Sequence, residues 1–203
     1  TSTFLIGQAG FDNGKGLSAK IGASYTWHDV ETQRRAALGV IDNSLMATYD
    51  ATSLMAYGQV DLLFPIGGSL AVGPTAGLSY VRTEVDGFSE TGGALALTTG
   101  ATERDVTYGS IGFKLEGVGA KVRPMASASW RHAWGDRDTA NTFAFAGSSS
   151  FTTFGPMIEK DAAEVLLGLE LGDGPVTASA GYAGHIGSEW QDHSGQITVQ
   201  IAF

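Results

Sequence analysis

An all-β chain, folded as a transmembrane antiparallel up-and-down β-barrel, is predicted by three observations on the sequence. Segments in which apolar and small or polar residues alternate strictly recur from one end of the 203 residues to the other, the signature of strands with two unlike faces. Charged residues make up only 16%, where soluble domains carry about 25%. No stretch approaches the roughly 18 uninterrupted apolar residues of a membrane helix, so a chain this lean in charge crosses a bilayer as strands, and only a closed barrel satisfies their backbones there.

Nine strands follow in order. The first is Ser2 to Phe11. In the second, Leu17, Ala19, Ile21, Ala23, Tyr25 and Trp27 oppose Ser18, Lys20, Gly22, Ser24, Thr26 and His28. The third is Leu54 to Phe64. The fourth sets Leu70, Val72, Pro74, Ala76, Leu78 and Tyr80 against Ala71, Gly73, Thr75, Gly77 and Ser79. The fifth is Asp105 to Leu115, and the sixth sets Pro124, Ala126, Ala128, Trp130 and His132 against Arg123, Met125, Ser127, Ser129 and Arg131. In the seventh, Val165, Leu167, Leu169 and Leu171 oppose Glu164, Leu166, Gly168 and Glu170, although Ala162, Val165, Leu166 and Leu169 also suit a helix. The eighth sets Val176, Ala178, Ala180 and Tyr182 against Thr177, Ser179, Gly181 and Ala183. The ninth is Gln196 to Phe203, with Ile197, Val199, Ile201 and Phe203 on one face.

Side-chain size decides which face is inside. A soluble barrel fills its interior with apolar groups. A face of Gly, Ser, Thr and Ala with isolated charges makes no dry core but can line a wet or plugged lumen, while Leu, Val and Ile meet lipid. The connections alternate too: short at Asp12 to Gly16, Pro65 to Gly68, Gly117 to Gly119 and Gly172 to Gly174, long at Asp29 to Ser53, Thr83 to Arg104, Gly135 to Lys160 and Gly187 to Gly195. Short periplasmic turns and long outer loops are the outer-membrane pattern. Tyr25, Trp27, Tyr80, Trp130 and Trp134 fall beside the long loops and Phe11, Phe64, Phe113 and Phe203 beside the short turns, as two interfacial aromatic girdles require.

Several function classes drop out. A net charge of −9 with no Lys/Arg cluster argues against nucleic acid, whose phosphates need clustered cations. No cysteine is present, so no disulfide or thiolate metal site is available. His28, His132, His185 and His193 lack metal-ligand spacing, no G-x-S-x-G elbow or phosphate loop occurs, and dispersed loop carboxylates are mostly hydrated surface. No cofactor and no catalysis are expected. The first residues, TSTFLIGQAG, lack a basic segment and a cleavage motif.

The runs GASYTWHDVETQRR, VGPTAGLSYVRTEVDGFSETGGALAL, ASASWRHAWGD and FAFAGSSSFTTFGPMIEKDAAEVLLGLEL resemble, in this order and spacing, the C-terminal translocator barrel of classical autotransporters, the type V secretion proteins. The resemblance covers about residues 2 to 203. It implies a Gram-negative outer-membrane barrel of twelve strands, threaded by a helix joined to a secreted passenger, and it implies as partners outer-membrane lipid and lipopolysaccharide, the barrel-assembly machinery, periplasmic chaperones and the passenger itself. Nine strands ending in the periplasm place Thr1 outside. Residues 1–203 are therefore expected to be a translocator domain lacking its first strands, three of which restore twelve, and its pore helix. The alternative is a small structural or adhesion barrel whose long outer loops bind ligands.

On this reading the face Ile197, Val199, Ile201 and Phe203 resembles the terminal signal that assembly machinery reads, with Ile201 where the common signal prefers an aromatic. The inward charges Lys20, Asp61, Lys114, Glu116, Lys121, Arg123, Arg131, Glu164 and Glu170 are the candidate pore lining. Their bland counterpart is a solvated, mutually paired wall in which each pair contributes little. Arg131, between Trp130 and Trp134 on one strand, is the first choice.

Overall fold

The computed structural model describes residues 1–117, 121–172 and 174–201, and fourteen strands run through them. They are β1 (Ser2–Asp12), β2 (Leu17–Leu38), β3 (Ile41–Leu62), β4 (Phe64–Gly67), β5 (Leu70–Val85), β6 (Phe88–Ser89), β7 (Leu97–Thr99), β8 (Thr102–Gly117), β9 (Val122–Gly135), β10 (Ala140–Phe145), β11 (Phe151–Phe154), β12 (Asp161–Leu171), β13 (Val176–Ile186) and β14 (Gln191–Ile201). The long ones form a single antiparallel meander in the order β1-β2-β3-β5-β8-β9-β12-β13-β14, with the short β4 added to β5. Each of the nine segments of alternation falls on one of these nine long strands, although β2 and β3 run well beyond theirs, the third segment ends at Phe64 in β4, and the last two residues of the ninth lie outside the described residues. The Asp161–Leu171 segment is a strand and not a helix, paired on both sides by β9 and β13.

Pairing register carries each polar position onto the same face as its neighbours. Ser18 lies opposite Asp61, Asp61 opposite Thr75 and Thr75 opposite Gly112; then Gly112 lies opposite Ser129, Ser129 opposite Glu164 and Glu164 opposite His185. On this face side chains two strands apart touch: Lys114 of β8 reaches Asp61 of β3 at 3.2 Å, Arg131 of β9 reaches His185 of β13 at 3.2 Å, and the Tyr57 hydroxyl of β3 reaches Gln8 of β1 at 3.3 Å. Flat sheets hold such strands about 9.6 Å apart, so contacts that skip a strand mark the concave side. The opposite face leaves large apolar groups bare: Ile21, Leu78, Ile111 and Phe113 are 60–66% exposed.

The convex band has a definite height. From Leu70 to Tyr80 the outward residues of β5 are apolar, and beyond them come Arg82 and Glu84. Ten steps at about 3.3 Å along a strand tilted about 40° rise about 25 Å, the apolar height of an outer-membrane barrel.

The outer connections depart from the sequence expectation. Asp29 to Ser53 is not an irregular loop: β2 and β3 stay paired as far as Leu38 opposite Ile41, across a two-residue turn at Gly39 and Val40. Gly39 has φ of 60° while Val40 keeps a negative φ, the combination a Gly-first type II′ hairpin turn uses. Thr83 to Arg104 shortens to residues 86–101, because β5 and β8 remain paired from Val85 and Thr102 inward, and it carries β6 and β7. Gly135 to Lys160 carries β10 and β11, which join β7 and β6 in a second sheet ordered β11-β10-β7-β6. Gly187 to Gly195 shrinks to four residues, since β14 pairs from Gln191. The expected turn at Pro65 to Gly68 is partly strand, β4, with a register shift between Pro65 and Gly67. The turns at Gly117 to Gly119 and Gly172 to Gly174 lie partly outside the described residues.

Candidate functional site

The candidate site is the concave wall. Its most buried polar group is Asp61, 3% exposed, placed by β3 at the end that carries the short turns. The carboxylate accepts from Thr75 Oγ1 at 2.6 Å and Gln59 Nε2 at 2.8 Å, and Lys114 Nζ lies 3.2 Å away. The same ammonium sits 2.5 Å from Glu116, so one cation bridges two carboxylates from β3 and β8. Closing a buried anion with three donors satisfies it, as burial requires.

A second group lies toward the outer end. Arg131 is 3.0 Å from Glu164 and 3.2 Å from His185, and its guanidinium stacks over the Tyr108 ring at 4.7 Å. His185 Nδ1 is 3.6 Å from Glu164. Four strands, β8, β9, β12 and β13, thus converge on one arginine whose planar head can pair and stack at once. The third group is the ion pair of Arg123 with Glu170, across β9 and β12.

Of the residues that alternation selects, the fold gathers Lys114, Glu116 and Asp61 into one cluster, Arg131 and Glu164 into another, and Arg123 and Glu170 into a pair. Lys20 makes no ion pair with the three groups but lies on the same face between Gly10 and Gln59, lining one hollow with Asp61, Lys114 and Glu116. Lys121 stands in the turn before β9. Thr75, Gln59, Tyr108 and His185 join the clusters although their types alone do not single them out. Each already sits on the polar face by period, but which of them meet is settled by strand register.

The convex rim holds the predicted aromatics. Tyr25 and Trp27 touch edge to face at 4.5 Å, and the Tyr80 hydroxyl donates to Asp105 at 2.7 Å. Trp130 and Trp134 flank His132 at 5.5 and 4.5 Å, and both Trp130 Nε1 and His132 Nδ1 meet Asp161, at 3.1 and 2.7 Å. Amphipathic rings with their polar edges satisfied suit a headgroup boundary. Phe11, Phe64 and Phe113 stand on the same face toward the short turns. Of the terminal face, Ile197, Val199 and Ile201 project outward from β14 and are 81%, 62% and 63% exposed. Phe203 lies outside the described residues.

Comparison with known proteins places this geometry. The family described as the autotransporter beta-domain matches residues 1–183. Two proteins described as extracellular serine proteases of Serratia marcescens are 25% and 24% identical over 187 and 190 residues, each alignment covering 88% of this chain. The chain spans only 18% of the length of either relative. Among solved structures, the translocator domain of autotransporter NalP from Neisseria meningitidis superimposes with a TM-score of 0.65 at 20% identity, over 100% of this chain and 67% of that one. At that identity the likeness is one of fold.

Proposed function

The chain belongs to the autotransporter β-domain family, outer-membrane barrels that serve passenger secretion, and from that premise we propose how its residues perform the task. The carrying observation is the two-sided sheet: polar contacts that skip a strand on one face and a bare apolar band about 25 Å tall on the other. Residues 1–203 form the translocator domain, completed by three further strands and a pore helix. Lys20, Lys114, Glu116, Arg123, Arg131, Glu164 and Glu170 line the path of the polypeptide, Tyr25, Trp27, Tyr80, Trp130 and Trp134 anchor the outer rim among lipid and lipopolysaccharide, and the face Ile197, Val199, Ile201, Phe203 is read by assembly machinery after periplasmic chaperones deliver the chain. The barrel itself performs no catalysis. Whatever proteolysis resembles that of the Serratia relatives belongs to a passenger.

Cysteine placement tests this in a chain with no native cysteine. In intact outer membranes, cysteines at Ser18, Ser79 and Ser127 react with a water-borne thiol reagent, while those at Ala19, Leu78 and Ala128 stay shielded. Equal labelling of the two sets defeats the orientation. An adhesion barrel labels identically, so the second readout is surface exposure of the segment preceding Thr1 in the full-length protein: exposure supports the translocator, and its retention in the periplasm sinks it.

A further inference from the structure

The β2–β3 hairpin continues about ten residues beyond the aromatic rim, and its concave side is not left to solvent. Leu45 is 0% and Ala47 5% exposed, and register puts both on the same face as Asp61 and Ser53. What covers them is the segment 86–101. Phe88 stacks on Tyr49 at 4.4 Å with the rings 13° apart. Thr91 exchanges both backbone hydrogen bonds with Met46, at 2.8 and 3.0 Å. Leu95 N–H donates to Asn43 Oδ1 at 3.2 Å. At the centre the Arg34 guanidinium grips Glu90 with two hydrogen bonds of 2.7 and 2.6 Å and donates a third to the Leu95 carbonyl at 2.8 Å. Glu90 in turn accepts from Leu97 N–H at 2.8 Å, and its side chain is only 7% exposed.

Two glycines let the segment lie this close. A Cβ on Gly92 would stand 2.0 Å from the Ser44 carbonyl oxygen, and one on Gly93 would stand 2.2 Å from the Asn43 side chain. Beyond the contact, β7 pairs with β10, so the second and third outer connections share one sheet. All of these contacts lie above the apolar band.

We infer that residues 86–101 are a lid over the outer mouth, closed on the concave side of the β2–β3 hairpin by the Arg34–Glu90 pair and lifted from it while a polypeptide crosses. The inference rests on the concave face being the lumen, as proposed above. A segment that covers the lumen side of an upright hairpin overhangs the opening, and its contacts are made to the parts of β2 and β3 that lie beyond the apolar band. One short β-bridge, one aromatic stack and one half-buried bidentate pair are few enough contacts to break together, which is what a lid requires. Because the covered carboxylate is matched by a permanently charged partner, opening must separate the pair into water, where both ends rehydrate.

The test locks the lid. Thr91 and Met46 form a hydrogen-bonded antiparallel pair, whose Cα atoms lie about 5.5 Å apart and suit a disulfide. In the full-length protein carrying M46C and T91C, synthesis under reducing conditions delivers the passenger segment to the surface as in wild type, and synthesis under oxidising conditions loses most of it. Oxidation after delivery leaves the surface signal unchanged. Equal delivery with the disulfide fully formed overturns the lid. Labelling at Ser127 and Ala128, run alongside, separates this failure from failure of the barrel orientation. Should the double variant not reach the membrane, E90Q decides: faster protease cutting within 86–101 on intact cells, with Ser127 labelling unchanged, supports the latch, and wild-type cutting overturns it.

Discussion

Removing Lys114 is the sharpest perturbation of the concave wall, because one ammonium bridges two carboxylates there. In K114M the stem volume stays while the charge 3.2 Å from Asp61 and 2.5 Å from Glu116 disappears. At an effective dielectric of about 20, a unit pair at 3.2 Å is worth about 5 kcal/mol, and the desolvation that the cation itself suffers offsets part of that. Asp61, 3% exposed, keeps its hydrogen bonds from Thr75 and Gln59 but no counter-charge. Breaking a buried pair from one side costs about 3–5 kcal/mol; with Lys114 itself 22% exposed, the lower part of that range, about 3 kcal/mol, is expected. D61N/K114M should then recover most of the loss, since the neutral amide that replaces the carboxylate needs no cation and keeps an oxygen for the Thr75 and Gln59 donors. The assay is reversible urea unfolding of the barrel in lipid vesicles, read as a complete double-mutant cycle. A K114M cost below about 0.5 kcal/mol, or strict additivity of the two substitutions, refutes the account of the cluster as one electrostatic unit.

Further outcomes follow from the outer layer and the terminus. Protease added to intact cells cuts between 29 and 53 only near Gly39–Val40, where Val40 is fully exposed, because the rest is laddered hairpin; cutting throughout that span contradicts the hairpin. Acid opens the lid: hydrogen bonds from Arg34 hold the Glu90 carboxyl below its ordinary 4.5, so its contribution is complete above that value and is lost as pH falls through the lower folded value. Hydrogen exchange at Leu97 N–H, which Glu90 holds, reads this, and exchange indifferent to pH between about 5 and 2 after correction for intrinsic rates denies the latch a role. Deleting Phe203, or replacing it with Asp, stalls insertion and leaves protein in the periplasm, while Phe203→Tyr assembles normally. Loss of a mere anchoring ring costs about 1.5–3 kcal/mol, so assembly at normal speed with slightly easier unfolding dismisses the signal reading.

What the sequence discloses follows from where the chain meets two different solvents. Inside the apolar band, Leu17 to Trp27 and Leu70 to Tyr80 alternate because one face meets lipid and the other does not, and period alone locates the strands. Beyond the rim that contrast ends. Asp29, Glu31, Gln33 and Arg35 face outward and Thr32, Arg34 and Ala36 inward, so both faces read as polar and the paired hairpin passes for a loop. Its legible trace was the Gly39–Val40 dipeptide, a glycine-first turn. The charge clusters were half visible: alternation put Lys114, Arg131 and Glu164 on one face, while Asp61 with Lys114 and Arg131 with His185 meet only because the sheet curls, which no local pattern encodes.

The pairing along the concave wall also decides how a moving chain would feel it. Arg123 with Glu170 and Arg131 with Glu164 are neutral pairs, and the one negative charge left where Lys114 bridges Asp61 and Glu116 is balanced by Lys20, which lines the same hollow, so each group is near-neutral. The field of such a group falls off far faster with distance than that of a lone charge, and within about 8 Å screening removes what is left. On the proposed translocation role, side chains of either sign would slide past without a deep trap, and friction would depend little on sequence.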